Sequence, residues 1–449
     1  MPDTTGGSAE APVNSDPAES TALDQRWHVV PGPGIPEPPA RRRAGPRTAA
    51  AIGAGRMAAW ASRRFGFGSG GMIGGRLALT VQPNLLAELV LGRRVVMVTG
   101  TNGKTTTTQM VAEALRSQAP AVSNATGANM PDGHVAALIG DREAPFAALE
   151  VDELHLGQIT GEFEPAVILL LNLSRDQLDR VGEIRTVVTS LRRALEQAPG
   201  ARVVANADDP NIVQAAADHP RTTWVSGGLR WREDALNCPR CGASIEQDER
   251  GPWSCRCGLS RPAPDWTVTE TGVFDAAGAH HRLALALPGH VNRVNATFAL
   301  AAALLLGCGG DAALEHVSRI DQAAGRYGTV RVAGRSVRLL LAKNPASWLE
   351  MLELAAGHGR PLVLVVNSRE ADGYDVSWLW DVEFEVLRGR AVYVAGDRAL
   401  DLAVRLRYAG VQCWVKSDVD EALVGMPDGV PDVIANYTAF RDVFARRRG

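Results

Sequence analysis

At about 150 residues per domain, a chain of 449 residues has room for roughly three units. Its 47 Lys+Arg against 50 Asp+Glu leave a net charge of −3, which argues against a surface given over to nucleic acid, because such binding rests on neutralising phosphates. The 45% hydrophobic and 22% charged residues are those of a folded globular protein, and with only 6 cysteines, four of them between Cys238 and Cys257, a metal site fits better than a disulfide scaffold.

Residues 1 to about 54 are rich in Pro, Ser, Gly, Ala and Thr and nearly lack bulky apolar side chains, so a disordered N-terminal tail is expected. The beginning is polar and acidic, without a secretory pattern, and Arg41-Arg42-Arg43 precedes too short an apolar stretch to be an export signal. No apolar run approaches the roughly 20 residues that span a bilayer, the best being Phe298–Leu306. A cytoplasmic protein is expected. Arg56–Phe65 reads as a basic helix carrying Trp60, packed on the domain or weakly touching an anionic membrane at its inner face.

From Arg94 onward, short apolar runs alternate with amphipathic stretches. Val95–Thr99, Phe146–Glu150, Ala166–Asn172 and Val203–Asn206 read as buried strands, with helices at Gly103–Ser117, Glu183–Gln197 and Asp209–Ala217. Unbroken Val/Ile/Leu runs are those of a parallel sheet covered on both faces, so the class is α/β. Residues 232–262 interrupt this rhythm with a polar, cysteine-rich insert, and a helix follows at Val294–Leu306. The rhythm then restarts, with strands at Val337–Ala342, Leu362–Val366, Ala391–Ala395 and Val433–Asn436 forming a second, Rossmann-like sheet. The expected division is a tail to residue 54, a central α/β domain over 55–325 that carries the insert, and a C-terminal α/β domain over 326–449.

The strongest motif is Val95-Val-Met-Val-Thr-Gly100-Thr101-Asn102-Gly103-Lys104-Thr105-Thr106, a buried strand, a glycine turn and a helix start. Glycines let backbone N–H groups approach phosphate oxygens, and the helix N-terminus adds positive potential. Lys104 is placed to neutralise β and γ phosphates and the Thr105 hydroxyl to ligate Mg2+. The general GxxxxGK[ST] pattern is not met, since Val98 stands at its first glycine. Cys238-x-x-Cys241 and Cys255-x-Cys257, with 13 residues between the pairs, can converge as four thiolates on one structural Zn2+, ahead of a redox pair or an iron–sulfur cluster. Cys308 and Cys413 read as core.

Gly100-Thr-Asn-Gly-Lys-Thr-Thr resembles the phosphate loop of the Mur ligases and folylpolyglutamate synthases, which activate a carboxylate as an acyl phosphate for attack by an amine. Other fragments follow in that family's order. Glu150 matches its magnesium-associated glutamate, Asn172-x-x-x-Asp176-Gln177-x-Asp179 its Asn-x-x-x-Asp-His-x-Asp stretch, and Asn206-Ala-Asp208-Asp209-Pro its segment beside the nucleotide. Gly289-His290-Val-Asn292-x-x-Asn295 matches the helix start whose first asparagine faces adenine, and Gly325-Arg326 the arginine that reaches ATP phosphate. The resemblance therefore implies ATP contacts from Gly100 to Thr106, at Asn292 and at Arg326, with Mg2+ at Thr105 and Glu150. One departure stands out. Where the family carries Asp-x-x-His-Asn-Pro beside the incoming amino acid, this chain reads Leu340-Leu-Ala-Lys343-Asn344-Pro345.

The Mur core, the four-cysteine insert and Asp372-Gly-Tyr-Asp375 together resemble the MurT family, the ligase subunits of lipid II isoglutaminyl synthase. That resemblance implies ATP-dependent amidation of the D-glutamate α-carboxylate in the lipid II stem peptide, a GatD-like glutaminase as partner, and Asp375 as the carboxylate completing that partner's Cys–His pair. Asp372 and Asp381 compete for this role. The alternatives are a stand-alone amino-acid-adding ligase of the Mur or folylpolyglutamate type and a zinc-ribbon NTPase acting on nucleic acid.

Overall fold

A computed structural model describes residues 26–30, 34–65, 71–124, 127–175, 183–246, 252–323 and 326–446. Asp176, Gln177, Asp179 and Gly325 lie outside this set, as do residues 1–25 of the expected tail.

Among the described residues, strands β1 (Arg94–Thr99), β2 (Ala121–Ser123), β3 (Phe146–Glu150), β4 (Val167–Leu170), β5 (Arg202–Asn206), β6 (Thr222–Ser226), β7 (Trp266–Val268), β8 (Gly272–Phe274) and β9 (His280–Arg282) form one sheet in the order β2-β3-β1-β4-β5-β6-β7-β8-β9. Pairing is parallel up to β7 and antiparallel from β7 to β9. Why β1 reads as an unbroken apolar run is visible in its neighbours. Val95 and Met97 enter one core, whereas Val96 and Val98 enter the other. Helices cover both faces, so alternate side chains from Val95 to Val98 bury in opposite layers and all four are apolar.

A second sheet follows, built from β10 (Tyr327–Val332), β11 (Arg335–Leu341), β12 (Leu362–Val365), β13 (Ala391–Ala395), β14 (Gln412–Val415) and β15 (Asp432–Ala435) in the order β10-β11-β15-β12-β13-β14. Only the β10–β11 hairpin is antiparallel among these pairs. Arg338 and Asp432 face each other across β11 and β15 with bonds of 2.6 and 2.5 Å, a two-pronged pair buried in the sheet. The sequence reading places β1, β3, β4, β5, β11, β12, β13 and β15 within a few residues. It gives no range for β2, β6, β7, the β8–β9 hairpin, β10 or β14, where the runs are too short or too polar for a period to register.

Over residues 26–30 and 34–54 the expected disorder is corrected. A helix runs from Pro46 to Arg64, with proline in its first turn. Ahead of it, Trp27 stacks on His281 at 3.7 Å and donates its indole N–H to Asp311 at 2.8 Å. His28 donates from its backbone to Asp275 at 2.8 Å, and Arg94 meets Glu37 at 2.6 Å. Composition describes what a segment can bury by itself; here a preformed groove supplies the partners, and one aromatic anchor contributes on the order of 1 kcal/mol beyond its area. Among the described residues, no helix is long and apolar enough to cross a membrane.

Candidate functional site

The phosphate loop leaves the carboxyl end of β1, the end at which open α/β sheets bind ligands. Gly100 has φ +136° and Gly103 φ +83°. A Cβ on Gly100 would lie 2.9 Å from the Asn172 backbone, and one on Gly103 would lie 2.9 Å from the Asn295 side chain, so both positions need glycine for space as well as torsion. Asn172 clamps the loop by accepting from the Asn102 N–H at 2.9 Å and donating to the Asn102 carbonyl at 3.0 Å. The helix Lys104–Arg116 then starts with its N–H groups turned toward the loop.

Two clefts meet here. The first, about 750 Å3, is bounded by Thr101 to Thr106 of the loop, by Asn292 and Asn295, and by Arg326, Lys343, Glu350 and Met351 from the second unit. The second, about 840 Å3, is bounded by Gly127, Asn129, Glu150, Asp152, Glu153 and Ser174. Thr101, Lys104, Arg326 and Lys343 line both. Lys104 Nζ lies 3.1 and 3.2 Å from the Glu153 carboxylate oxygens. Burial pushes the Glu153 carboxyl above its ordinary value, against the pull of this ammonium. Arg326 reaches Thr105 Oγ1 at 3.5 Å, which brings the side chain expected at ATP phosphate to the loop itself.

Thr105 Oγ1 donates to Glu150 Oε2 at 2.8 Å, and both residues are buried. Adjacent oxygens in an octahedron of about 2.1 Å radius stand about 2.9 Å apart, so this pair fits one edge of a Mg2+ site. Sequence reasoning overlooks what holds Glu150. Its backbone N–H donates to Asn124 Oδ1 at 2.7 Å, while its carbonyl accepts from Asn124 Nδ2 at 2.9 Å and from His134 Nε2 at 2.7 Å. Bonding to a carbonyl fixes the His134 proton on Nε2, and burial lowers its basicity and keeps it neutral.

Other predicted residues serve the scaffold. Asn292 lines the first cleft and donates to the Pro288 carbonyl at 2.7 Å. Asp208 accepts from the Gly227 and Gly228 N–H groups, and Asp209 caps the helix Pro210–Ala216 and accepts from Leu173 N–H at 2.7 Å. Neither aspartate lines the two clefts. Asn344 caps the helix Pro345–Ala356 in a reciprocal box with Ser347 and donates to Asn102 Oδ1 at 3.1 Å.

The Sγ atoms of Cys238, Cys241, Cys255 and Cys257 all lie within 4.8 Å of one another, with Cys238–Cys257 at 3.6 Å and Cys241–Cys255 at 3.5 Å. A tetrahedron with metal–sulfur bonds of about 2.3 Å has edges of about 3.8 Å, so the four can hold one metal ion. Gly242 (φ +77°) and Gly258 (φ +86°) turn the chain behind each pair. The insert rests on Val213 and Trp224 through Ile245, Trp253 and Leu259.

Asp375 stands apart, exposed in the loop after β12 and outside both clefts. Its carboxylate accepts from Ser377 N–H at 2.8 Å, and that bond lowers its pKa. Asp372, by contrast, is occupied within the fold, accepting from Thr438 N–H at 2.9 Å and from the Thr438 hydroxyl.

Comparison with known proteins comes from two directions. The Mur ligase middle domain family matches residues 98–303, and the MurT ligase C-terminal family matches residues 341–440. The chain is 27% identical over 441 residues to the Streptococcus pneumoniae protein named lipid II isoglutaminyl synthase (glutamine-hydrolyzing) subunit MurT, covering 90% of this chain and 98% of that one. With the Staphylococcus aureus (strain COL) protein of the same name it is 28% identical over 425 residues, covering 87% and 95%. In structure it superposes on MurF from Acinetobacter baumannii with a TM-score of 0.62 at 18% identity, over 83% and 81% of the two chains, a likeness of fold.

Proposed function

Because the chain belongs to the MurT family of Mur ligases, we propose that it amidates the α-carboxylate of D-glutamate in the stem peptide of lipid II, yielding D-isoglutamine for peptidoglycan synthesis, with ammonia supplied by a GatD-like glutaminase subunit. The observation that carries this is the meeting of two clefts across Lys104, Arg326 and Lys343. ATP lies in the first cleft with its phosphates on Gly100 to Thr106, its base toward Asn292 and its γ-phosphoryl at the junction. The acyl acceptor enters through the second. A carboxylate oxygen there attacks γ-phosphorus, the bond to the bridging oxygen of ADP breaks, and an acyl phosphate forms. Ammonia then attacks the carbonyl carbon, inorganic phosphate leaves, and the nitrogen loses a proton to give the carboxamide.

Each residue has a part in this scheme. Lys104 exchanges Glu153 for phosphate oxygens and screens the charge that spreads over the transferring group, while Arg326 adds a second cation from the facing unit. Thr105 and Glu150 would hold Mg2+, which when bound neutralises β and γ oxygens. Asn172, Asn124 and His134 keep the loop and Glu150 from reorganising during the reaction. The four thiolates would hold Zn2+ as a structural cross-link of the insert.

The partner faces Asp375. Beside it the surface carries exposed Tyr374, Trp380, Leu400, Val404 and Tyr408, with Trp380 and Tyr408 in ring contact at 5.4 Å, an apolar patch suited to a protein partner. An unburied carboxylate in that patch can reach the imidazole of the glutaminase and hold it in its catalytic tautomer. A stand-alone amino-acid-adding ligase is disfavoured, since the buried Leu340 stands in the second unit where the resembled motif carries its acidic residue.

The test is stoichiometric. Mixing the chain with its glutaminase subunit, glutamine, ATP and lipid II should release one ADP for each carboxamide formed, and in a second arm ammonium salt should substitute for the glutaminase and glutamine. Carboxamide formation without ADP release, or neither product with ammonium present, overturns the proposal.

A further inference from the structure

We propose that the hairpin of the helices Pro46–Arg64 and Gly71–Val81 docks on an anionic lipid surface. Between residues 46 and 81 the chain carries five arginines and no aspartate, glutamate or lysine. Setting these five aside leaves 42 basic residues against 50 acidic ones, so a basic face sits on an otherwise acidic protein. Six large apolar side chains emerge from the same hairpin: Met57, Trp60, Phe65, Met72, Ile73 and Leu77. Trp60 is 61% and Phe65 69% exposed, far more than single side chains at the margin of a core. Arg56, Arg63, Arg64 and Arg76 are exposed among them. Apolar and aromatic side chains beside arginines, with no acid between, are the chemistry of helices that lie in a headgroup layer.

The hairpin is built to present this face as a unit. Its inner seam is closely packed, since a Cβ on Gly55 would lie 2.9 Å from the Gly74 carbonyl and one on Gly74 would lie 2.6 Å from the Gly55 carbonyl. Ala51, Ile52, Gly55 and Ser62 turn inward, so the outward side chains are left over after the fold is satisfied. The second helix rests on the helix Pro131–Gly140, with Gly75 against the Asp132 carbonyl. The residues leading into that helix, Gly127 and Asn129, line the second cleft. Docking thus puts the acceptor side of the site next to the lipid. A second copy of this chain is a poor occupant, because two acid-free arginine faces repel, and the glutaminase surface proposed above lies on the other sheet.

The experiment is flotation of the full chain, alone and with its glutaminase subunit, on vesicles of phosphatidylcholine or of phosphatidylcholine with phosphatidylglycerol, at low and high salt and without nucleotide. Binding is expected to the phosphatidylglycerol vesicles and to weaken with salt. Arg64→Gln/Arg76→Gln should lose about tenfold or more in partitioning, given what each basic side chain contributes near such a surface, and Trp60→Ser/Ile73→Ser a comparable amount. ADP release with a water-soluble acceptor should be unchanged in both variants, which separates this inference from the reaction proposed above. No binding to phosphatidylglycerol vesicles at low salt, or binding that neither variant reduces, overturns it. So does a solution dimer, or a complex with the glutaminase, that Trp60→Ser/Ile73→Ser breaks apart.

Discussion

Replacing Lys104 by alanine should cause two separable losses, one chemical and one structural. Its ammonium stands 3.1 Å from the Glu153 carboxylate, with only 10% and 14% of the two side chains exposed. At that separation and an effective dielectric near 20, the gross attraction is about 5 kcal/mol, largely offset by the desolvation of both ions. Without the ammonium, Glu153 takes up a proton rather than stay charged in a dry site. For a carboxyl of ordinary value 4.5 at pH 7, that uptake costs at most about 3.4 kcal/mol. Burial already imposes part of that cost in the wild type, so a net destabilisation of about 2 kcal/mol is expected from the shift of the urea midpoint. Adding Glu153→Gln should restore most of this stability, because it removes the orphaned carboxyl. It should not restore phosphoryl transfer, which we expect to fall about a thousandfold, some 4 kcal/mol of barrier, in coupled ADP-release assays. A stability loss that persists in full in the double variant refutes the role given to the ion pair. Phosphoryl transfer within tenfold of wild type refutes the role given to the loop.

Asp375→Asn should abolish glutamine-driven amidation while leaving complex formation and ammonium-driven amidation intact; unchanged glutamine hydrolysis assigns the acid elsewhere. If the four thiolates hold zinc as proposed, the wild type should carry one ion per chain and Cys241→Ser less, with a lower melting temperature, as read by a chromogenic chelator and a thermal scan; equal metal content in both proteins excludes the cluster as the binding site. Asn124→Ala should cut amidation tenfold or more through misplacement of Glu150, and raise the Mg2+ concentration for half-maximal rate, which a purely structural lesion leaves alone. Burial pushes the Glu350 carboxyl in the first cleft up to about 7, so the folded chain holds this proton more tightly than the unfolded one. Stability from this group is present in acid and is lost as pH rises from the ordinary 4.5 through about 7, so Glu350→Gln should flatten that decline in urea midpoints between pH 5 and pH 8.

What was legible in the chain was what is local. Gly100 and Gly103 announce themselves because a strand must turn into a helix within a few residues, and two cysteine pairs lie in a short insert. Asn124 and His134 carry no such mark. They reach Glu150 across 26 and 16 positions of sequence, and a lone asparagine or histidine has no spacing from which a clamp can be read. Asp208 and Asp209 show the converse, a motif with family likeness whose polar atoms are spent on Gly227, Gly228, Leu173 and a helix cap. Over residues 26–30 and 34–54 composition misleads because it speaks for an isolated segment, whereas Trp27 finds its partner 254 positions away at His281.

The bond from Asn344 to Asn102, at 3.1 Å, ties the cap of one helix to the turn that cradles phosphate. Together with the long reach of Arg326 to Thr105 and the Arg230–Glu353 ion pair, it is part of a polar stitch between two bodies with separate cores. Such bonds contribute only about 1 kcal/mol each, so ambient agitation unfastens them readily. A slight parting of the halves there would open the first cleft to solvent with neither core disturbed.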